Sequence, residues 1–375
     1  MKPFLICHIS LVGHGHLKAA YSLKKVFIKN AEVLDSLEFF NKGFFQSCKI
    51  FRRACLEKFP GITDLYFQNP LIVKGVALFG DMFCIAIAKR YAKYIKKNNI
   101  ETVICTHSMS LRIMAYAKKY TSFNLVGVLT DYTVDSYWII DKVDLYFVAN
   151  KESKLQLTIA GIEANKITVS GIPIHCTDTM KYHKYDLYEK NGLINGKPVV
   201  LILGGGAGYG NMRSMIQALD QCTSDFQILV VTGNNKELYD TLIKIKTRKP
   251  MSLLHYVANM NEVYRISDLV ITKPGGLTIA ECLAIGLPMI VLKAIAGGEN
   301  SNINFLKDAG VAIVVRNEQE AAVKVDELML DCTLRNNLSV KARSVGYPDA
   351  AKKIRAEILR RFHPCIRTRE ITYNR

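Results

Sequence analysis

Residues 271–310 read ITKPGGLTIAECLAIGLPMIVLKAIAGGENSNINFLKDAG. A short β-rich run closes at Thr272, Pro274-Gly275-Gly276 makes a turn, and a helix is predicted from near Thr278. The helical pattern runs to Gly286. Met289–Leu292 reads as the next strand. Strand, tight turn, helix and strand in succession is a βαβ unit, which belongs to a parallel sheet.

The same alternation extends outward. Apolar runs stand at Phe4–Val12, Thr102–Thr106, Leu125–Thr130, Leu145–Ala149, Val199–Gly204, Gln227–Thr232, Leu269–Thr272 and Ala312–Val315. Amphipathic helical patterns at Lys18–Asn30, Ser110–Tyr120 and Lys236–Thr247 separate them. Unbroken apolar runs are what strands covered on both faces look like. The chain is therefore expected to be α/β, with two parallel sheets. Gly171-Ile172-Pro173-Ile174 ends the first block, and the polar stretch 175–197, rich in Lys and Tyr, reads as a linker. The expected domains are 1–174, 175–345 and a C-terminal helix and tail, 346–375. Asp349, after Pro348, is the expected N-cap of that helix, which runs to about Phe362.

Composition narrows the class. The 375 residues are 49% apolar and 22% charged, as in a soluble globular protein and unlike a disordered chain. No apolar stretch is long enough to span a bilayer, and the Phe4–Val12 run has no small-residue cleavage site. A cytoplasmic chain is expected, with its ten Cys reduced and none in a Cys-x-x-Cys pair. The net charge is +17. Residues 1–120 hold 19 Lys and Arg against 7 Asp and Glu, and the remainder 31 against 26. The basic third suggests an anionic partner, a membrane surface or nucleic acid; solvated Lys explains it equally well.

Three motifs carry chemistry. Gly13-His14-Gly15-His16 follows the first strand and places two imidazoles at its carboxyl end, where open α/β sheets hold ligands. An imidazole there suits a general base; incidental His in a turn is the bland alternative. Gly204 to Gly210 holds Gly205, Gly206 and Gly208 in a turn able to wrap phosphate. Gly275, Gly276 and Thr278 open a helix whose first amides would face a diphosphate. Glu281, on the first turn or so, could accept both hydroxyls of a ribose, or merely complement the helix dipole. Glu299 and Asn302 belong to a polar cluster suited to sugar hydroxyls. Neither glycine turn is a Gly-x-Gly-x-x-Gly fingerprint or a P-loop, which argues against a dehydrogenase or an NTPase.

Lys273 to Glu281 followed by Gly286-Leu287-Pro288 resembles the donor-binding signature of glycosyltransferase family 28. This is the family of monogalactosyldiacylglycerol synthases, processive diacylglycerol glucosyltransferases and, more distantly, the N-acetylglucosaminyltransferase of peptidoglycan lipid intermediates. The likeness runs through Gly13–Ala20, Leu129–Trp138, Val143–Ala149, Val169–Ile174, Gly204–Gly208, Thr232–Leu242 and Asn302–Val315. Leu129-Thr130-Asp131-Tyr132 with Trp138 points to the diacylglycerol branch. The resemblance implies a GT-B fold, two Rossmann-like domains facing a cleft, with a UDP-sugar donor on the second and a lipid acceptor on the first. It implies inverting hexose transfer with no cofactor or catalytic metal, the UDP-sugar being a substrate. His16 matches the family's candidate base, with Asp131 to orient or charge-stabilise it. Glu281 matches the ribose-binding carboxylate, and Glu299 and Asn302 the sugar- and diphosphate-facing loop. The chain departs from the family at Gly298, often Gln, and at Asp135, commonly His.

A lipid acceptor implies an enzyme peripheral to the inner face of the cell membrane. Phe39, Phe40, Phe44, Phe45 and Phe51 are interleaved with Lys42, Lys49, Arg52, Arg53 and Lys58, and Lys89, Arg90, Lys93, Lys96 and Lys97 follow the apolar run 70–87. Aromatic and basic residues together suit an anionic bilayer; core-facing helices with Lys stems outward are the plainer reading. Two alternatives are an N-acetylglucosamine transferase acting on a polyprenyl-linked or lipopolysaccharide acceptor, and a binding module without turnover. Nucleic acid is not expected as a partner, for want of a recognition helix or a zinc motif.

Overall fold

The computed structural model describes residues 3–10, 15–39, 70–175, 183–205, 211–293 and 299–364; for 29, 70–83, 299 and 300 it describes the backbone alone. The chain divides into two compact units, 1–175 with 349–375, and 176–348.

The first unit holds a six-stranded parallel sheet of β1 (Phe4–His8), β2 (Ala31–Asp35), β3 (Thr102–Cys105), β4 (Asn124–Val128), β5 (Leu145–Val148) and β6 (Ile167–Val169), in the order β2-β1-β3-β4-β5-β6. Every residue of β1, β3 and β5 is buried, as the unbroken apolar runs require. The missed strands β2 and β6 are the two edges, where covering is incomplete. Helix α1 (Gly15–Phe27) follows β1. Helix α2 (Pro70–Lys97) precedes β3 and buries Cys84, Ile87, Ala88, Tyr91, Ala92 and Ile95 in the core, with Lys89, Arg90, Lys93, Lys96 and Lys97 exposed. Over residues 84–97 the helix is thus core-facing with its bases outward. Helix α3 (Ser108–Ala117) connects β3 to β4, and α4 (Lys151–Ile159) connects β5 to β6.

The second unit repeats the plan with β7 (Val199–Leu203), β8 (Gln227–Val231), β9 (Met251–Leu254), β10 (Leu269–Thr272), β11 (Met289–Leu292) and β12 (Ile313–Val315), in the order β12-β11-β10-β7-β8-β9. All ten neighbouring pairs in the two sheets are parallel. The stretch read as a linker contains helix α5 (Lys184–Lys190), which buries Leu187 and Tyr188. Its charged outer face, Lys184, Asp186, Glu189 and Lys190, hid this short amphipathic turn. Helices α6 (Met212–Asp220), α7 (Lys236–Leu242), α8 (Met260–Ile266), α9 (Gly276–Ile285), α10 (Glu299–Ala309), α11 (Glu318–Leu330) and α12 (Cys332–Val345) cover the sheet.

Helix α13 (Ala350–Phe362) returns to the first unit, where Ala351, Ile354, Ile358 and Leu359 join Phe4, Leu23 and Phe27 in one apolar cluster. His363 seals it, its Nε2 lying 2.8 Å from the Thr102 hydroxyl. Asp349 precedes the helix without a side-chain cap; Lys352 takes its carboxylate instead. No helix among the described residues is long and apolar enough to cross a membrane.

Candidate functional site

Each sheet reverses its strand order once, between β1 and β3 in the first and between β7 and β10 in the second. Open α/β sheets bind ligands outside the carboxyl ends of their strands at such a switch point. The candidate residues that the structure describes gather at these two places.

At the first, helix α1 begins at Gly15, so His16 stands in its first turn and not in the preceding loop. Its Nδ1 lies 2.9 Å from the Thr106 carbonyl oxygen and 2.9 Å from Thr130 Oγ1. Thr106 closes the lock by donating its hydroxyl to the His16 carbonyl at 3.0 Å. A carbonyl can only accept, so Nδ1 carries the proton in the neutral ring and Nε2 keeps the lone pair. His107 packs edge-on at 4.6 Å between ring centroids. Burial holds the His16 imidazole below its ordinary value, against the opposing pull of the Asp131 charge and the Thr106 hydrogen bond. The ring is thus neutral near pH 7.

Asp131 is half-buried on the segment that follows β4. Tyr146 fixes this segment, donating to the Trp138 carbonyl at 2.7 Å and accepting from Ile140 N–H at 3.2 Å. Its ring lies against Gly127, where a Cβ would approach within 2.9 Å of it. Ser153 and Asn150 both donate to the Tyr132 carbonyl. Asp135 caps the helical turn Ser136–Trp138 by accepting Tyr137 N–H at 2.8 Å. A further imidazole, His8, ends β1 with Nδ1 buried and unpartnered. Burial lowers its proton affinity, Asp35 works against this, and the His16 charge lowers it further.

At the second switch point, Gly205 follows β7 with φ +72°, a conformation that glycine adopts without strain. A Cβ there would meet Lys273 Cε at 3.0 Å. The Lys273 side chain, arriving from β10, therefore runs beside the β7 turn and brings a cation to it. Gly275 is the N-cap of α9 and has no side chain to satisfy the first amides of Gly276, Leu277 and Thr278. The helix starts two residues earlier than expected, so Glu281 is its sixth residue, on the second turn. Its Oε2 accepts the Tyr264 hydroxyl at 2.8 Å. Asn302 is fully buried in α10 and donates to the Pro274 carbonyl at 3.0 Å, tying that helix to the turn. Gly13, His14, Gly206, Gly208 and residues 40–69 lie outside the described residues, as does the side chain of Glu299. Among the described residues no three His, Cys, Asp or Glu side chains are grouped to hold a metal ion.

Sequence reasoning gave no role of their own to Thr106, Thr130, Lys273 and Tyr264, although Thr130 and Lys273 stand inside motifs it singled out. The first two had a signal: each is the polar residue closing an apolar strand at its carboxyl end. Tyr264 had none, because its partner is reached only through helix packing.

The arrangement can deprotonate a hydroxyl at His16 Nε2, and can stabilise anionic oxygens with the α9 amides and Lys273. The family model for monogalactosyldiacylglycerol (MGDG) synthase matches residues 16–174, and that for the glycosyltransferase family 28 C-terminal domain matches 199–354. A processive diacylglycerol beta-glucosyltransferase of Bacillus cereus (strain AH187) is 29% identical over 386 residues, covering 96% of this chain and 95% of that protein. The same figures hold for that of Bacillus thuringiensis (strain Al Hakam). Among solved structures, Acinetobacter baumannii MurG aligns with TM-score 0.60 at 13% identity, over 96% of this chain and all of that one. Anabaena HepE in complex with UDP aligns with TM-score 0.59 at 17% identity, over 96% and 99%. These likenesses establish the GT-B fold, two Rossmann-like halves each built on a six-stranded parallel sheet. The chain belongs to the glycosyltransferase family of monogalactosyldiacylglycerol synthases and processive diacylglycerol glucosyltransferases.

Proposed function

We infer that the enzyme moves a hexose from a UDP-sugar to a diacylglycerol-type lipid, with inversion at the anomeric carbon, to form a membrane glycolipid. The observation that carries this reading is the lock on His16 Nδ1, which leaves the lone pair on Nε2 of a ring held neutral by burial. The acceptor hydroxyl gives its proton to Nε2 while its oxygen forms the new bond to the anomeric carbon. The bond from that carbon to the diphosphate breaks, and its electron pair leaves on UDP. Asp131 stabilises the imidazolium that forms. The amides opening α9, together with Lys273, meet the charge growing on the leaving group. Glu281 takes the ribose hydroxyls, and the glycines at 205, 206 and 208 wrap the diphosphate. Glu299 and Asn302 complete the donor side, with Asn302 acting through the Pro274 turn that it ties down.

The names of the relatives support diacylglycerol as acceptor and glucose as sugar. The exposed bases of α2 support peripheral docking on the anionic inner face of the cell membrane. The test supplies purified protein with UDP-glucose, UDP-galactose or UDP-N-acetylglucosamine, in micelles with and without diacylglycerol. UDP release that requires diacylglycerol, and a product whose anomeric configuration is opposite to the donor's, is the expected result. Release indifferent to diacylglycerol but driven by a polyprenyl-linked acceptor would replace this reading with the N-acetylglucosamine transferase.

A further inference from the structure

We propose that Tyr264 is a positioning residue for the nucleoside end of the donor, its buried phenol holding the Glu281 carboxylate in the orientation that accepts a ribose diol. The inference rests on the reading of Glu281 as the ribose-binding carboxylate.

Tyr264 stands on α8 and is 3% exposed. Its hydroxyl donates to Glu281 Oε2 at 2.8 Å. Thr278, one turn before Glu281 on α9, also acts on this phenol, in the opposite sense to the Glu281 charge. Burial and the Glu281 charge both raise the phenol well above its ordinary value, so it keeps its proton and remains a donor. Tyr264 thus points its proton at Glu281, the group that would receive the diol.

A buried tyrosine needs a partner, and a helix carbonyl would serve for packing alone. Here the partner is an ionisable side chain with several rotatable bonds. Left unrestrained, that side chain would have to be ordered each time a diol bound; fixed beforehand, it loses little freedom on binding. A carboxylate offers about four lone-pair positions. The phenol takes one from the side of α8 and sets the direction of the rest.

The test is calorimetric titration of the full chain with UDP and with 2′,3′-dideoxy-UDP. In the wild type, removing the diol should weaken binding at least about tenfold. Tyr264→Phe should weaken UDP by about tenfold and change dideoxy-UDP less than about twofold, because only the diol contact depends on the phenol. In Glu281→Gln the preference for the diol should vanish, and adding Tyr264→Phe to it should cost nothing more. Should Tyr264→Phe fail to fold, Thr278→Val takes its place. It loosens the same phenol, and the ratio of the two affinities isolates the ribose contribution from any phosphate contact. If Glu281→Gln abolishes the preference while Tyr264→Phe (or Thr278→Val) weakens both nucleotides equally, or neither, Tyr264 does not position the carboxylate. If Glu281→Gln retains the preference, the ribose reading of Glu281 fails, and the inference with it.

Discussion

Replacing His16 by Asn separates the nitrogen proposed as the base from the one that anchors the ring. An Asn amide can place a donor close to where Nδ1 stands, 2.9 Å from the Thr106 carbonyl, and offers nothing at the position of Nε2. The fold should persist, since a lost neutral hydrogen bond costs only about 0.5–1.5 kcal/mol. Turnover should not persist. A positioned general base contributes roughly 10²–10⁴-fold, or about 2.7–5.5 kcal/mol of barrier. The assay is kcat for UDP release against pH, with UDP affinity measured alongside. Wild-type activity should fall on the acid side as the imidazole protonates, with the limb below pH 6.5 because burial lowers its proton affinity. Asp131→Asn removes the charge that opposes this, so the acid limb should move to still lower pH while kcat on the plateau drops. Near-normal kcat in His16→Asn would refute the base. An acid limb that stays in place in Asp131→Asn would mean that the carboxylate does not act on the ring, and would remove Asp131 from the mechanism.

Three further outcomes are expected. Glu281→Ala should weaken UDP more than about tenfold in calorimetry, the scale of a charge-assisted bidentate contact; equal affinity would remove Glu281 from the site. The protein should co-sediment with anionic vesicles and detach in high salt, because Lys89, Arg90, Lys93, Lys96 and Lys97 are exposed on α2; equal, salt-insensitive binding to neutral vesicles would contradict electrostatic docking. Gly346→Ala should lower the melting temperature, because a Cβ there would lie 2.5 Å from the Leu283 carbonyl oxygen and force α9 and α12 apart, at about 1–3 kcal/mol; an unchanged melting temperature would mean that the helices do not approach so closely.

The central strands were legible because burial on both faces writes an unbroken apolar run. Strands β2 and β6 flank the first sheet, and β9 is one edge of the second, with all four of its residues only half-buried. Their mixed sequences, AEVLD, ITV and MSLL, follow from that position. The turn at Gly205 was legible because a left-handed backbone there constrains the residue type. Thr106, Thr130 and Tyr264 act through contacts 90, 114 and 17 residues away in sequence, and no local pattern encodes such pairings. The place of α13 on the first unit is of the same kind: its apolar stripe was visible, but the surface it covers was not.

The central claim is tested most directly by mass spectrometry of the lipids after incubation with a UDP-hexose and an equimolar mixture of diacylglycerol and a polyprenyl-linked acceptor. Diacylglycerol should gain one or more anhydrohexose increments, the polyprenyl acceptor none, and His16→Asn should leave both unmodified. Increments on the polyprenyl acceptor alone, or on neither lipid with the wild-type enzyme, would contradict the account.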